Sequence, residues 1–527
     1  MAPDAPLLLG IDLGTSGPKV ALFEAGGPSL GSQFEPTALM LSEGGGAEQS
    51  PDDWWRAIVT ATRRLLLRFP QAAARVVGVG CTAQWSGTVA VDAQGQVIGN
   101  AIIWMDSRGA PLVRQTMAGF PTVQGYGAAK LWRSLRLTGG VPGLSGKDSL
   151  AHILFLRQHR PDLYRRAVRF LEPKDYLNFR LTGRQAASFD SIALHWVTDN
   201  RDPNAVRYHD GLLRTFGLRR DQLPELGPAI QVLGPLTAQT ARELGVPQSA
   251  QVVLGSADVQ SAAVGSGATG DYQAHLYIGT SSWLTCHLPG KKTDVVNNMA
   301  TLVSAIPGRY LIGNTQECAG VCLSYLRDKL FWPQDTLDPR PPPDDAYQRF
   351  DRLVESTLPD QDAVLFTPWL YGERTPVEDP LIRGGFHNLS LSTRREHLVR
   401  AVYEGVALNT RWLHQAVRGF VGRDFEAINL IGGGARSAAW CQLHADVLGV
   451  PIRQVENPVE ANARGAAILV GVGLGLTTFA QVPGQVPIAR TFTPDPALRA
   501  HYDHRFLQFV RLYRANRGIH ARLNRRG

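Results

Sequence analysis

The sequence predicts an α/β protein made of two related halves that grip one ligand between them. Three observations carry this prediction. A glycine–threonine–serine turn occurs twice, once in Gly10-Ile11-Asp12-Leu13-Gly14-Thr15-Ser16-Gly17 and once in Tyr277-Ile278-Gly279-Thr280-Ser281-Ser282. After each turn, short apolar strand patterns alternate with helical ones, the mark of α/β architecture. Glycine is 54 of 527 residues, about a tenth against a typical ~7%, which suits tight turns and close ligand approach.

Each turn lies between an apolar strand and a return strand, at 7–12 and 19–23 in the first copy. Consecutive N–H groups in such a turn form an anion-binding nest. Two nests far apart in sequence suggest two half-molecules holding one polyphosphate; two ordinary hairpins sharing a turn sequence are the alternative. No G-x-x-x-x-G-K-[ST] loop is present, so this is not a Walker site.

The elements follow in order. A helix is expected from Ser50-Pro51-Asp52-Asp53, with Ser as N-cap, Pro in the first turn and Asp53 reaching back in a capping box. Strands are expected at 76–81 and 88–92, and helices at 150–158 and 175–181. The Pro- and Gly-punctuated stretch 202–234 leads to the second half. That half opens with a strand at 251–255 and a helix at 259–264, then the second hairpin. A helix at 316–329, an exposed loop around Pro341-Pro342-Pro343 and a helix at 394–418 follow. Strand 427–431, the turn Gly432-Gly433-Gly434, helix 435–448, strand 451–455 and helix 461–473 close it. The expected division is 1–250, 251–480 and a basic helical extension at 481–527.

Composition narrows the partners. The net charge of +8 admits nucleic acid, an acidic surface or a phosphorylated ligand. The Arg residues are scattered except for seven between Arg505 and Arg526. There Tyr502, Phe506, Phe509, Val510 and Tyr513 recur at helical spacing, as in a helix that packs by its aromatic stripe and shows its Arg to solvent. Neither nucleic acid nor membrane is expected as a partner; a homodimer is left open. The five cysteines, Cys81, Cys286, Cys318, Cys322 and Cys441, are odd in number and sparse, so no disulfide framework is expected. Cys318 and Cys322 lie one helical turn apart without further zinc ligands nearby. Met1-Ala2-Pro3-Asp4 has no basic leader character, and no apolar run reaches the ~18 residues of a membrane span. The expected compartment is the cytoplasm.

Three features carry chemistry. Asp12 ends the first strand beside the first nest. A carboxylate there repels phosphate unless a cation bridges them, and Mg²⁺ is the natural bridge; the alternative is an Asp that bonds turn amides. Asp258 follows a strand and opens a helix, where it can cap the helix or take a proton from a substrate hydroxyl. Gly432-Gly433-Gly434-Ala435-Arg436-Ser437 offers bare backbone and free N–H groups at a helix start.

Several motifs in order resemble the FGGY family of carbohydrate kinases, from about residue 7 to residue 475. Asp12-Leu13-Gly14-Thr15-Ser16-Gly17 with Lys19 is similar to its first phosphate hairpin, and Trp104-Met105-Asp106-Ser107-Arg108 to its W-x-D-x-R segment. Pro173-Lys174-Asp175-Tyr176-Leu177 resembles its P-K-D-Y-L element, and residues 254–265 its catalytic-Asp element. Gly372-Glu373-Arg374-Thr375-Pro376 resembles its G-E-R-T-P loop, residues 398–405 its second signature, and residues 431–437 its adenosine turn. The resemblance implies two actin-like/hexokinase-like (ribonuclease H-like) ATPase domains with an interdomain cleft, and transfer of the γ-phosphoryl of ATP to a sugar or polyol hydroxyl with Mg²⁺.

The same resemblance implies the roles. Thr15, Ser16, Lys19, Gly279 and Thr280 would cradle phosphates, and Asp12 would orient the metal. Asp258 would be the base. Gly320, Ser324, Gly433, Gly434 and Ser437 would line the adenosine. The sugar would sit near Gln84, Trp85, Ser86, Asp106, Asp148 and Asp258. The branch most resembled is xylulokinase-like, which implies D-xylulose as acceptor; ribulose, a pentitol or glycerol are alternatives. Gln84-Trp85-Ser86-Gly87 departs from that branch's Gln-Met-His-Gly, residues 142–148 depart from its usual loop, and Asn388 stands where Gly is usual. An inactive sugar-binding regulator and an actin-like or chaperone-type ATPase are the other classes weighed; the intact Asp12 and Asp258, and the G-E-R-T-P and W-x-D-x-R segments, speak against them.

Overall fold

The computed structural model describes residues 5–25, 28–359 and 363–525. The expected leader-free start at Met1–Asp4 and the last basic residue, Arg526, lie outside them.

The first hairpin forms as expected. β1 (Leu7–Gly14) and β2 (Gly17–Glu24) pair antiparallel with Asp12 opposite Lys19, and β3 (Ser29–Phe34) extends β2. Helix α1 (Pro51–Arg68) starts at Ser50, whose hydroxyl accepts the Asp53 N–H at 3.2 Å. The expected capping box is not made; the Asp53 carboxylate pairs with Arg56 one turn on. β4 (Val76–Ala83) joins β1 in parallel. Helix α2 (Ser149–His159) packs in a cluster of its own, whereas α3 (Pro173–Thr182) packs into the core of the first sheet. β5 (Val232–Pro235) and β6 (Gln251–Val253) complete a six-stranded sheet in the order β5-β6-β4-β1-β2-β3, and α4 (Asp258–Gly265) leaves it.

β6 corrects an expectation. The strand expected to open the second half pairs in parallel with β4 and belongs to the first sheet. A short strand is assigned by its partners, and no local signal in Gln251-Val252-Val253 names them. We infer that the division between the halves falls after α4 rather than between 250 and 251.

The second half repeats the plan. β7 (Ala274–Ile278) and β8 (Ser282–Leu288) form the second hairpin. β9 (Thr293–Asp294), β10 (Met299–Val303) and β11 (Tyr310–Gly313) extend β8 as a meander. Helix α5 spans only Gly320–Tyr325 and continues as a wider π-helical turn over Leu326–Phe331. The helix expected from 316 starts late because Gln316 exchanges backbone hydrogen bonds with Ser282 at 2.8 and 3.2 Å, which keeps it extended. The long α6 (Arg395–Val421) packs beneath the sheet. β12 (Ile428–Ile431), α7 (Ala438–Leu448), β13 (Ile452–Val455), α8 (Ala461–Gly473) and β14 (Ile488–Phe492) complete the order β9-β10-β11-β8-β7-β12-β13-β14. In both sheets a hairpin lies beside two parallel strands and an antiparallel edge.

The halves meet where α4 crosses α8. A Cβ on Gly265 would lie 1.8 Å from the Ala461 carbonyl oxygen, and one on Gly465 would lie 1.9 Å from that of Ser261. Only bare backbone allows this approach. α8 also lies directly on β1 and β4, so a helix of the second half covers the first sheet.

The C-terminal helix α9 (Arg499–Asn524) buries Tyr502, Phe509 and Tyr513, as its stripe implies. Arg505 is a correction. It is buried, pairs with Glu404 at 2.9 Å and donates to the Val364 carbonyl, because it falls on the same face as the aromatic stripe. All five cysteines are buried and free. Among the described residues no helix is long and apolar enough to cross a membrane.

Candidate active site

The site forms where the carboxyl ends of β1, β4 and β6 meet the start of α4, the position at which open α/β sheets collect ligands. Asp258 is the first residue of α4. Its carboxylate accepts the N–H of Val259 at 2.8 Å and the backbone N–H of Trp85. Burial, and next the negative charge of Asp12, push its pKa up to about 7. Two partly buried carboxylates from different strand ends therefore lie side by side. Burial also raises Asp12, opposed by the Lys19 ammonium and a hydrogen bond from the side chain of Asn462, at the start of α8. Two neighbouring carboxylates beside the first hairpin turn fit a divalent cation with few protein ligands. Among the described residues no cluster of three or more His, Cys, Asp or Glu is placed to hold a metal.

The first nest is built into a relay. Thr15 donates its hydroxyl to Gln84 Oε1 at 3.1 Å and accepts the Trp104 indole N–H at 2.9 Å. Gln49 donates to the Thr15 carbonyl at 2.8 Å and accepts from Gln84 at 2.7 Å. Ser16 at the tip is exposed. Lys19 departs from its expected role: it donates to the Val459 carbonyl at 2.5 Å and so ties the first hairpin to the second half.

The expected acceptor residues separate into two groups. Trp85 borders Asp258, with its indole donating to the Ser191 carbonyl at 2.9 Å, while Gln84 joins Thr15 and Gln49. Asp148 stands at the N-cap position of α2 without capping it by its side chain; its Oδ2 instead accepts from the Gly143 N–H at 2.5 Å and the Trp196 indole at 2.8 Å. Ser86 and Asp106 are framework. Ser86, held at φ 66°, donates to the Lys147 carbonyl at 2.6 Å. Asp106 is fully buried and accepts the N–H groups of Ala47 and Arg108 while pairing with the Arg108 guanidinium at 2.6 Å. The sugar-lining part expected of Asp106 is not what this geometry supports, because its oxygens are taken up in holding the W-x-D-x-R turn.

In the second half, the hairpin turn at Gly279–Thr280 faces α5. Gly279 and Thr280 give their carbonyls to the N–H groups of Gly320, at 2.8 Å, and Ala319, at 2.9 Å. Gly320 is therefore bonded to the hairpin rather than free. Ser324 is half-buried, 3.1 Å from the Tyr347 hydroxyl. Gly432 takes φ 89° and lies on Ile278, where a Cβ would be 2.5 Å from the carbonyl oxygen. Beyond it Gly433 faces open space, while Gly434 packs on the Ile278 side chain. The helix after the glycines starts at Ala438, not Ala435, since 433–436 form a 3-10 turn and Ser437 is the N-cap, accepting the Trp440 N–H at 3.0 Å. The Ser437 hydroxyl donates to Asp351 at 2.6 Å, and Asp351 also accepts from Tyr403 at 2.7 Å.

Sequence reasoning missed Gln49, Asn462 and Asp351. Gln49 directly precedes the Ser50 cap and was masked by that helix-start signal. Asp351 lies on an unremarked helix, Ala346–Ser356, and nothing local in the sequence marks it.

Comparison with known proteins gives the family. The model of the FGGY family of carbohydrate kinases matches in two parts, its N-terminal domain over residues 7–265 and its C-terminal domain over residues 274–474. The first match ends with α4. A xylulose kinase of Escherichia coli (strain K12) is 30% identical over 511 residues, covering 96% of this chain and 98% of the relative. A crystal structure titled as a "xyloylose kinase" from Brucella ovis superposes with a TM-score of 0.84 at 27% identity, over 97% of this chain and all of that one. Plasmodium falciparum glycerol kinase with ADP, 18% identical with a TM-score of 0.80 over 96% of this chain and 98% of that one, shares the fold. With the matches spanning both halves and a 30% identical relative aligned almost end to end, this chain belongs to the FGGY family of carbohydrate kinases and is a sugar kinase that uses ATP.

Proposed function

We propose that the protein transfers the γ-phosphoryl group of ATP to a hydroxyl of D-xylulose, giving D-xylulose 5-phosphate in the cytoplasm. The observation that carries the chemistry is Asp258, raised to about 7 by burial and by Asp12, and held against the Trp85 amide at the expected acceptor segment. The sugar is supported by the relatives, among them the xylulose kinase of Escherichia coli. The reduced, buried cysteines suit the compartment.

Phosphoryl transfer is catalysed mainly by positioning and charge neutralisation. Asp258 accepts the proton of the attacking hydroxyl as the new O–P bond forms, and the Val259 and Trp85 amides fix its direction. The nests at Thr15–Ser16 and Gly279–Thr280 face the phosphates from the two halves. Asp12 would hold Mg²⁺, which when bound neutralises charge on the transferring phosphates. Gly433, next to the Ser437–Asp351 pair, leaves flat backbone for the adenosine.

An ADP-release screen over pentuloses, hexuloses, pentitols and glycerol tests the proposal. D-xylulose is expected to give the highest kcat/KM; a higher value for any other acceptor overturns the sugar assignment while leaving the kinase assignment in place.

A further inference from the structure

Behind the candidate base lies a buried polar network to which the proposed mechanism gives no part. Lys174, Asp175, Asn178 and Asp190 are each no more than 1% exposed. Lys174 forms an ion pair with Asp175 and donates to the Leu254 carbonyl at 2.9 Å; Asn178 donates to the same carbonyl at 2.6 Å. Asp190 Oδ2 accepts the Ala257 N–H at 3.0 Å. Asp175 accepts the Ser191 hydroxyl at 3.0 Å, and the Ser191 carbonyl accepts the Trp85 indole at 2.9 Å.

These bonds close a ring. Asp258 accepts the Trp85 amide, the Trp85 indole reaches Ser191, and the neighbour of Ser191, Asp190, holds the residue immediately before Asp258. The Lys174 ammonium lies within the same ring and attracts Asp190. Burying charge costs desolvation, and apolar residues of like volume commonly stabilise a core as well or better. A charged cluster whose bonds end on Leu254, Ala257 and the Trp85 segment has a use beyond packing: it fixes the exit of the chain from β6 into α4. We propose that Asp190 and Lys174 are positioning residues that aim the Asp258 carboxylate and hold the Trp85 segment in register with it. This rests on the reading of Asp258 as the base.

The test uses steady-state kinetics of the full chain with D-xylulose, or the best acceptor found in the screen. Asp190→Ala is expected to lower kcat by about 10²-fold, the loss a misplacement of roughly 1 Å can cause, while KM for ATP stays within about twofold. Asp190→Asn keeps an oxygen for the Ala257 N–H and is expected to recover most of that loss, which a mere change of core charge does not predict. Lys174→Met is expected to behave like Asp190→Ala. Should Asp190→Ala lack a cooperative thermal transition, Asn178→Ala, which leaves every charge in place, takes over with an expected loss of about tenfold. Wild-type kcat in a folded Asp190→Ala or Asn178→Ala, or an Asp190→Asn as impaired as Asp190→Ala, overturns the positioning role. Asp258→Ala, measured alongside, separates the two levels. If it still turns over, the base reading falls; if it is inert beside a fully active Asp190→Ala, only the positioning role falls.

Discussion

Asp258 is a partly buried carboxylate beside a second carboxylate, and its behaviour follows from that placement. Asp258→Ala is expected to lower turnover by about 10²–10⁴-fold, the range for loss of a general base, with nucleotide binding retained by isothermal titration. Turnover above about a tenth of wild type removes the assignment. The raised pKa also sets a pH dependence. A base must be unprotonated to accept a proton, so kcat/KM for the acceptor is expected to rise with pH and level off above about 7. The stability sign is opposite. A carboxyl raised in the folded state contributes stability that is complete below its unfolded pKa near 4 and is lost as pH rises through about 7. The apo Tm difference between wild type and Asp258→Asn, followed across that window, checks it. Asn388 sits at φ 64°, the left-handed region that glycine favours and that Asn tolerates better than most side chains.

At the scale of elements, the crossing of α4 and α8 decides more than either helix. α4 carries Asp258 at its first residue, α8 carries Asn462 near its start, and their contact is backbone on backbone at Gly265 and Gly465. Gly265→Ala is expected to separate the helices, with a stability loss of about 1–3 kcal/mol as in overpacked cores and a fall in kcat from the shifted base. Gly419 is the control. It lies in α6 with open space around its Cβ position, so Gly419→Ala is expected to raise stability by up to about 1 kcal/mol. Thermal unfolding of both variants decides: equal Tm shifts remove the close-packing explanation. The periodicity of 461–473 marks a helix but not which sheet it covers.

At the scale of the molecule, the two halves touch through several separate ties. Besides the helix crossing, Ser32 donates to Glu460 at 2.6 Å, and Lys291 donates to the last-turn carbonyls of Arg136 and Leu137 at 2.7 and 3.1 Å. Near Asp148, the Lys147 ammonium of the first half faces the Tyr371 ring of the second at 6.0 Å. A kinase must keep water from the phosphoryl group, and two lobes around a cleft do so by closing. Small-angle scattering is therefore expected to show a smaller radius of gyration with a non-hydrolysable ATP analogue and acceptor together than with either alone. An unchanged radius assigns water exclusion to the static site.

The hairpin nests, the two strand-end aspartates, the glycine triplet and the family were legible in the sequence because each is a local pattern: a tight turn, a carboxylate at a strand end, bare backbone before a helix. Local patterns state what a residue can do. They do not state what it touches. Only the tertiary structure assigned β6 to the first sheet, took Lys19 to Val459, withdrew Asp106 into the framework and turned Arg505 inward to Glu404. It also brought Asp12 and Asp258 together, where lost hydration and next the charge of Asp12 raise Asp258. Those outcomes depend on partners that no local pattern names, up to 440 residues away for Lys19 and Val459, since pairing, burial and the field at a carboxylate are properties of neighbours in space.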